Sequence, residues 1–518
     1  MFAGPCDRRF FCNYDTVVAH MSEKKAKYIT TTLPYVNADP HIGFALEMVQ
    51  ADTLARYWRL MGEDVFFSTG TDEHGQKIAE KADSEGKDRQ VYVDHFAAQF
   101  GVLKDSLNLS YDNFIRTTDT HHMAAAQEIW KRCEAVGDIY KKTYKGLYCV
   151  GDEMYMKESE LVDGKCPNHP NMELQEVEEE NYFFKLSNYQ QYLEEYLAPK
   201  GVVVPEWRRK EALAFVQDGL EDFSISRQKN RMDWGVPVPG DDDHVMYVWF
   251  DALTNYISTL GWPEDDDGTF SKYWTEGQTL QFAGKDQVRF QSIMWQAMLK
   301  SANIKATDQV FYHGFINSGG QKMSKSLGNV IAPADMVARY GTDAVRYMLL
   351  RHTHPTDDSD ITWEKMDEWY TANLVNGLGN LTARIMKMAQ THVTAEAIQA
   401  YRASKDVNDF DELTNGNPAQ VPDLTHFTKC VESYNFQEAA DNIWRFIGDL
   451  DQVIQDTQPF KLIKTDEKKA KEILLALVDE LYDVAIRLEP FMPAAARTIK
   501  QAVSANKKPE NLFNRLDS

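Results

Sequence analysis

The chain has 518 residues, of which 43% are hydrophobic and 26% are charged, and its formal net charge is −23. This length predicts two or three domains, and the composition is that of a soluble globular protein without a membrane-spanning run. The acidic balance excludes a generic polyanion binder, so any surface that binds nucleic acid must be a local basic one. Six irregularly spaced cysteines do not form a disulfide framework, which predicts a cytoplasmic protein.

The first twenty residues precede a second methionine, Met21, and a hydrophilic run. They lack an apolar core followed by a small-residue cleavage site, which argues against a signal peptide. We interpret residues 1–20 as an over-called start or a disordered extension.

A strand–helix–strand unit follows. Residues 28–33 are rich in β-branched side chains and predict a strand, and residues 65–68 predict a second one. Between them, Asp39 suits a helix cap, Pro40 the first helical position and Gly62 the helix end. Such a unit predicts a doubly wound parallel sheet, whose ligands lie at the carboxyl ends of the strands. No G-x-G-x-x-G follows the first strand, which argues against a dinucleotide dehydrogenase.

The character of the chain changes twice beyond this unit. Residues 140–185 contain short polar turns and predict an insertion in the sheet domain. Residues 245–250 and 280–283 have the composition of buried strands that return to the sheet. From about Trp363 the pattern is almost wholly helical, with a loop rich in glycine, asparagine and proline near 408–424.

Two polar signatures stand 281 positions apart, at His41 and Lys322. Residues 322–326, Lys-Met-Ser-Lys-Ser, place two lysines and two hydroxyls on a glycine-flanked loop, a movable clamp suited to the β- and γ-phosphates of ATP. His41 and Gly43 lie at the predicted helix N-terminus, where an anion is favoured. Together the signatures predict a nucleotide site from which pyrophosphate leaves.

Further candidates lie at the same end of the predicted sheet. The loop 69–75 follows the second strand, and Asp72 there could hold an α-ammonium group or belong to an ordinary acidic turn. Its place beside the predicted helix that begins near His41 favours binding of an ammonium group. Apolar and aromatic surface comes from Leu33, Tyr35, Trp249, Ala252 and Tyr256. These side chains are typical of a core, but beside an ATP site they also suit a thioether, because sulfur packs favourably against ring edges.

Taken together, these motifs resemble those of the methionyl-tRNA synthetases, a family of class I aminoacyl-tRNA synthetases, from about Tyr28 to Arg515. The resemblance rests on residues 33–37, the imperfect signature at His41, and residues 69–75, 247–252, 284–286 and 322–326. It implies that methionine attacks the α-phosphate of Mg-ATP and that the methionyl group then passes to the terminal adenosine of tRNA(Met), initiator tRNA included. The interval of 281 residues leaves no room for the large editing insertion of the leucyl, valyl and isoleucyl enzymes.

The resemblance also implies individual roles. Catalysis would depend on His41, Gly43, Lys322 and Lys325. ATP would be bound by these residues and by Phe44, Met323, Ser324 and Ser326. Methionine would be bound by Leu33, Tyr35, Asp72, Trp249, Ala252, Tyr256, Gln287 and Gln291, with Asp72 on its amino group. The anticodon would be contacted by Asn380, Arg384 and Phe460.

The implied organisation is a Rossmann-type catalytic domain, interrupted by an insertion and followed by an all-α helical bundle. We assign 21–139 and 236–362 to the two catalytic halves, 140–235 to the connective insertion with a knuckle near 145–175, and 363–518 to the anticodon-binding bundle. We expect a cytoplasmic monomer with no membrane partner.

Five residues depart from the family pattern, one of them at the knuckle. Phe44 stands where a second, phosphate-donating histidine is usual, Gln291 where a pocket histidine is usual, Gln287 where an aliphatic residue is usual, and Phe460 where tryptophan is commoner. At the knuckle, a tetrahedral zinc set is chemically feasible from Cys149, Asp152, Cys166 and His169. Asp152 replaces a thiolate, however, and a metal-free knuckle is the favoured prediction.

These departures leave two alternatives to an active methionyl enzyme. One is a degenerate paralogue that binds tRNA or methionine without activating it. The other is a class I synthetase for another small apolar amino acid. Lys325, Asp72 and the aromatic pocket favour the active methionyl enzyme.

Overall fold

The computed structural model describes residues 26–151, 154–156, 161–167, 170–323, 328–404 and 424–516. The predicted extension at 1–20 and most of the loop near 408–424 therefore lie outside the described residues. None of the described helices is long and apolar enough to cross a membrane.

Six parallel strands form the central sheet. They are β1 (Lys27–Thr30), β2 (Val65–Thr71), β3 (Asn113–Arg116), β4 (Val203–Val204), β5 (Gln278–Gly284) and β6 (Gln309–His313). Their order is β3-β2-β1-β5-β6-β4, and every neighbouring pair is parallel. The predicted doubly wound sheet is confirmed. The strand order reverses between β1 and β5, so a crevice opens beyond their carboxyl ends, where such folds bind ligands.

The sheet is buried on both faces. Ile29 on β1 lies opposite Phe67 on β2 and Leu280 on β5, and all three side chains are buried. The next residues along, Thr30, Ser68 and Gln281, point to the opposite face and are buried as well, because helices cover both faces of a parallel sheet. The longer helices around the sheet are α1 (Ile42–Leu60), Gln76–Ser84, Arg89–Ser106, Thr120–Ala135, Gln190–Leu197, α2 (Glu206–Gln217), Trp295–Ser301, Pro333–Tyr340 and Thr342–Arg351. The shorter ones are Leu186–Tyr189, α3 (Val248–Ala252), Asn255–Ser258, Ser271–Thr275, Lys285–Gln287 and Phe290–Met294.

The predicted start of α1 is wrong by two residues. Its N-cap is His41, whose Nδ1 accepts a hydrogen bond from the amide of Gly43 at 3.1 Å, and the helix begins at Ile42. Asp39 and Pro40 precede the helix instead of capping and opening it. An imidazole nitrogen here takes the role that Asp, Asn, Ser and Thr usually play, so the sequence pattern pointed too early.

The predicted strand at 245–250 is also wrong. The strand there is Asp241–Met246, and the apolar residues that follow form α3. This strand pairs antiparallel with Ser226–Gln228 and Pro237–Val238 in a separate sheet, not with the central one. A short apolar run fits a buried helix as well as a buried strand, and tertiary packing decided between them.

An antiparallel sheet projects from the central domain. Its strands are Met154–Met156, Ile139–Cys149, Gln175–Phe184 and Phe223–Ser224, in that spatial order. The two long strands pair from Ile139 opposite Phe184 to Tyr148 opposite Gln175. Strand β4 lies in the range 140–235 that we assigned to the insertion, so part of that range belongs to the central sheet.

A small sheet holds the start of the lysine-rich loop. Gln321–Lys322 pairs antiparallel with Ile316–Ser318, which in turn pairs parallel with Ser359–Asp360. The hairpin follows β6 closely in the chain, so it carries Lys322 to the carboxyl end of the central sheet.

The C-terminal region is helical from Trp363, as predicted. Its helices are Trp363–Trp369, Tyr370–Gly379, Asn380–His392, Ala395–Ser404, Leu424–Glu432, Phe436–Thr457, Pro459–Leu462, Glu467–Leu488 and Pro493–Ala505. A buried arginine, Arg346, fastens this bundle to α1. Its guanidinium pairs with Asp52 of α1 at 2.7 Å and donates to the carbonyls of Pro490 and Phe491 at 2.8 and 2.9 Å.

Candidate active site

A cavity of about 1140 Å³ opens at the switch point between β1 and β5. Twelve of the predicted site residues line it, namely Leu33, Tyr35, His41, Gly43, Phe44, Asp72, Trp249, Ala252, Tyr256, Gln287, Gln291 and Met323. Ser324, Lys325 and Ser326 lie outside the described residues. The cavity therefore brings together side chains from five separate stretches of the sequence.

The histidine signature forms one wall. A Cβ at Gly43 would come within 2.9 Å of the His41 ring, so only glycine lets the imidazole cap the helix. The amide of Ile42 donates to the carbonyl of Ile331 at 3.2 Å, which joins the start of α1 to the segment after the lysine-rich loop. The two signatures are thus held together by the backbone as well as by the cavity that they share.

The ring of Phe44 packs against other aromatic rings. Its centroid lies 4.6 Å from that of His41 and 5.5 Å from that of Phe100, the latter edge-to-face. Phe44 thus braces the capping imidazole where the family usually has a phosphate donor. The side-chain amides of Gln287 and Gln291 donate to Asp286 and Tyr256, so both already have acceptors within the protein.

Asp72 lies immediately after β2 and is only 2% exposed. Its amide donates to the carbonyl of Pro34 at 3.0 Å, and its carbonyl accepts from the amide of Val36 at 3.2 Å. These bonds hold the Asp72 loop against the segment after β1 that carries Tyr35. A fixed carboxylate with little access to water is well suited to an ammonium group, since neither partner must reorganise on binding.

A buried histidine–aspartate–histidine cluster holds the loop that carries Asp72. Buried Asp251 on α3 lies 2.6 Å from Nδ1 of His74 and 2.8 Å from Nε2 of His122. An ionised carboxylate only accepts, so both ring nitrogens that face it carry protons. The cluster ties the Asp72 loop to α3, which presents Trp249 and Ala252 to the cavity. Sequence reasoning missed it, although His74 and Asp251 both lie in motifs that were singled out.

Aromatic rings form the apolar side of the cavity. Trp249 meets Tyr35 edge-to-face at 6.1 Å and stacks on Phe290 at 3.9 Å. Tyr256 accepts from the Gln291 amide, and burial raises the pKa of its phenol well above the ordinary value. Phe290 was not predicted as a site residue. The available signal was that it directly precedes Gln291, which was predicted to bind methionine. The arrangement gives a pocket with apolar walls and few polar groups.

The sequence analysis also missed a buried pair formed by Glu47 and His313. Glu47 on α1 accepts from the amide and hydroxyl of Thr32, both at 2.6 Å, and lies 2.7 Å from Nε2 of His313. The other ring nitrogen of His313 lies 2.8 Å from the carbonyl of Gly314. Burial lowers the pKa of His313, but the hydrogen bond and charge of Glu47 outweigh burial, and the pKa is raised above 6.5. Both nitrogens face acceptors, which suits the protonated ring.

Comparisons with known proteins agree with this geometry. The family model described as "tRNA synthetases class I (M)" matches residues 27–175 and 170–386. The methionine–tRNA ligase of Thermotoga maritima is 40% identical over 495 residues, which cover 94% of this chain and 77% of that protein. The enzyme of Brucella suis is 39% identical and covers 94% of both chains. The chain belongs to the methionine–tRNA ligase family of class I synthetases.

Solved structures of the family have the same fold. Mycobacterium tuberculosis methionyl-tRNA synthetase in complex with methionyl-adenylate superposes with a TM-score of 0.81 at 34% identity, covering 95% of this chain and 99% of that one. Its ligand-free form gives a TM-score of 0.77 at 32% identity, with 96% and 100% covered. The predicted family and fold class are therefore confirmed.

The predicted knuckle contains two buried thiols. Cys149 and Cys166 pack with Met156 in one small apolar cluster, so the two thiols lie in the same part of the knuckle. Asp152 and His169 lie outside the described residues. In the part of the chain that is described, no three histidine, cysteine or acidic side chains converge as a metal site. Zinc binding at this knuckle stays a prediction, and so does the favoured metal-free knuckle.

The three predicted anticodon residues lie on the helical bundle. Asn380 is exposed at the start of its helix, and Arg384, one turn later, pairs with Asp451. Phe460 is 46% exposed, one of the few large apolar side chains that face water. An exposed ring beside polar groups suits base stacking, and the anticodon role stays a prediction.

Proposed function

We propose that the chain is an active methionine–tRNA ligase that makes methionyl-adenylate and pyrophosphate from L-methionine and ATP, then charges tRNA(Met), initiator tRNA included. The observation that carries this proposal is the shared cavity, in which buried Asp72, the aromatic walls and the His41 cap meet. The substrates would react by positioning and charge stabilisation, without a covalent enzyme intermediate.

In the first step, a carboxylate oxygen of methionine attacks the α-phosphorus of ATP and pyrophosphate leaves. Asp72 would fix the ammonium group, while Leu33, Trp249, Ala252 and Tyr256 surround the thioether. His41, Lys322 and Lys325 would stabilise the negative charge that develops on the phosphates. Mg²⁺ would accompany ATP and offset part of that charge. In the second step, a hydroxyl of the terminal adenosine attacks the carbonyl carbon, and AMP leaves.

This proposal predicts methionine-dependent exchange of pyrophosphate into ATP. We expect exchange with leucine or valine to be slower by about 10- to 200-fold in kcat/KM, because shape differences of a methylene have effects of this size. The measurement is incorporation of labelled pyrophosphate with each amino acid. Equal rates with leucine would assign the chain to another apolar amino acid, and no exchange with any would identify a degenerate paralogue.

We further propose that the helical bundle contacts the CAU anticodon. Substituting Asn380→Ala or Arg384→Gln is expected to lower kcat/KM for aminoacylation by about tenfold or more, since hydrogen bonds that involve a charged group contribute about 1.5–3 kcal/mol. Pyrophosphate exchange should be unchanged, because the anticodon plays no part in activation. Arg445→Ala is the matched control, an exposed arginine of the same bundle that pairs with Glu438. If exchange and aminoacylation fell together, the two residues would be structural.

We also propose a cytoplasmic monomer. The support is the irregular cysteine spacing and the acidic surface, which keeps copies of the chain apart. Sedimentation at micromolar concentration tests the monomer directly.

A further inference from the structure

The cavity extends beyond the residues that are assigned to methionine and ATP. Its lining also includes Glu211, Ala212 and Phe215 of α2 and Arg289, which directly precedes the turn Phe290–Met294, and we call this part of the lining the side arm. None of these four residues belongs to either signature. Because Phe290 stacks on Trp249, the arm adjoins the methionine side of the cavity.

An aromatic–cation pair stands at this arm. The guanidinium of Arg289 lies over the ring of Phe215, 4.5 Å from its centroid. Arg289 is exposed, Phe215 is half-buried and both line the cavity, so a ligand can reach the pair from solvent. Pairs of this kind receive single-stranded nucleic acid, because every base has a face that stacks on a ring or a guanidinium plane.

A second pair lies on the same helix. Trp207 is 43% exposed, and the guanidinium of Arg208 lies 3.9 Å from its ring centroid. Trp207 and Phe215 are separated by two helical turns, about 12 Å along the axis, and Glu211 stands between them. The two pairs therefore follow one another from the helix start toward the cavity.

The charge of this region is unlike that of the chain as a whole. Residues 208–210, Arg-Arg-Lys, are the only three consecutive basic residues in a chain of net charge −23. Arg208 pairs with Glu211, and Arg209 pairs with Glu206 while donating to the carbonyl of Leu197. Even with both acids counted, α2 is net positive. Arg209 is buried and the Arg208 side chain is only 14% exposed, so the positive charge that faces solvent here comes from Lys210 and Arg289. Positive charge of this kind favours a nucleic-acid backbone.

We propose that this arm receives the single-stranded 3′ end of the tRNA. Phe215 with Arg289 stacks on a base close to the terminal adenosine, and Trp207 with Arg208 stacks on one nearer the acceptor stem. The proposal rests on the proposed function, in which the terminal hydroxyl must reach the carbonyl carbon of the adenylate. Only a strand that enters the cavity can deliver it, and the arm combines continuity with the cavity, stacking groups and positive charge.

The first test separates activation from transfer. The wild-type chain is assayed for methionine-dependent exchange and for charging of tRNA(Met), and failure here would overturn the proposed function rather than this inference. In Phe215→Ala and Arg289→Gln, kcat/KM for aminoacylation is expected to fall about 10- to 100-fold, the effect of losing a stacked base. Exchange should stay at the wild-type rate. Arg289→Gln changes an exposed side chain, so the test holds even if Phe215→Ala destabilises the fold.

The second test uses tRNA that lacks its single-stranded 3′ end. Dissociation constants are measured for intact and shortened tRNA with the wild type, Phe215→Ala and Phe460→Ala. We expect Phe215→Ala to weaken binding of intact tRNA only, because shortened tRNA has nothing to place in the arm. Phe460→Ala, far along the chain in the bundle, should weaken both equally. Equal weakening of intact and shortened tRNA by Phe215→Ala, unchanged aminoacylation, or a parallel loss of exchange in Arg289→Gln would each overturn the inference.

Discussion

Replacing Asp72 with asparagine is expected to raise the KM for methionine and lower kcat/KM for pyrophosphate exchange by about 10²–10³-fold. Asparagine keeps the shape of the side chain but removes its charge, and truncating one partner of a buried charge pair costs about 2–5 kcal/mol. Asp72 is 2% exposed, so little water is available to replace the lost interaction. The KM for ATP should stay near its wild-type value.

Asp39→Asn is the matched control for this prediction. Asp39 lines the same cavity but is exposed, so removing its charge should have a small effect on methionine binding. If Asp72→Asn left the KM for methionine unchanged, the ammonium group would bind elsewhere. If both variants had the same effect, the general negative potential of the cavity would be responsible rather than the Asp72 carboxylate.

Replacing Asp251 with asparagine is expected to lower the free energy of unfolding of the catalytic domain by about 3–5 kcal/mol at neutral pH, as when one partner of a buried charged pair is removed. Asparagine can accept from one histidine, but its amide nitrogen opposes the proton on the other. Urea unfolding followed by tryptophan fluorescence measures the change. The KM for methionine should also rise, because α3, which carries Trp249, would lose its bond from Asp251 to His74 of the Asp72 loop.

The effect of Asp251→Asn should depend on pH in a defined direction. Burial raises the pKa of Asp251, but the charge of His74 and the hydrogen bonds from both histidines outweigh it, and the pKa is held below 3.8. A carboxyl with a lowered pKa stabilises the fold above its unfolded-state pKa and loses that contribution as pH falls through the folded-state value. The difference between variant and wild type should therefore be constant near neutrality and shrink below about pH 4.

Asp242→Asn provides the control, since Asp242 is exposed on the strand that precedes α3. It should leave both the free energy of unfolding and the KM for methionine unchanged. A difference between Asp251→Asn and wild type that persisted at low pH would show that packing, rather than the carboxylate charge, causes the loss.

Local patterns in the sequence determined which strands, helix and loops surround the site. The β-branched run before residue 34, the apolar periodicity of α1 and the strand before Asp72 are local signals, and each element formed close to its predicted position. Because parallel strands end at one edge of a sheet, motifs that follow different strands had to meet there. Twelve of the predicted residues consequently line one cavity.

Local patterns failed where several conformations fit the same residues. The apolar run at 245–250 suits a strand or a helix. Its helical form was decided by packing of Phe250 against Trp130 of the helix Thr120–Ala135 and by the bonds of Asp251 to His74 and His122. At α1, the spacing of Asp39 and Pro40 looked like a helix start, but the ring of His41 supplied the cap.

The tertiary structure alone decided the polar interior of the site. Glu47 and His313 are 266 positions apart, and His74 and Asp251 are 177 apart, so no periodicity relates them. Each side chain alone is an ordinary polar residue on an otherwise apolar element. Their pairing follows from burial, because a polar group that leaves water must find a hydrogen-bond partner or destabilise the fold. The sequence by itself thus determined which motifs meet, and the packed interior decided which buried charges hold them in place.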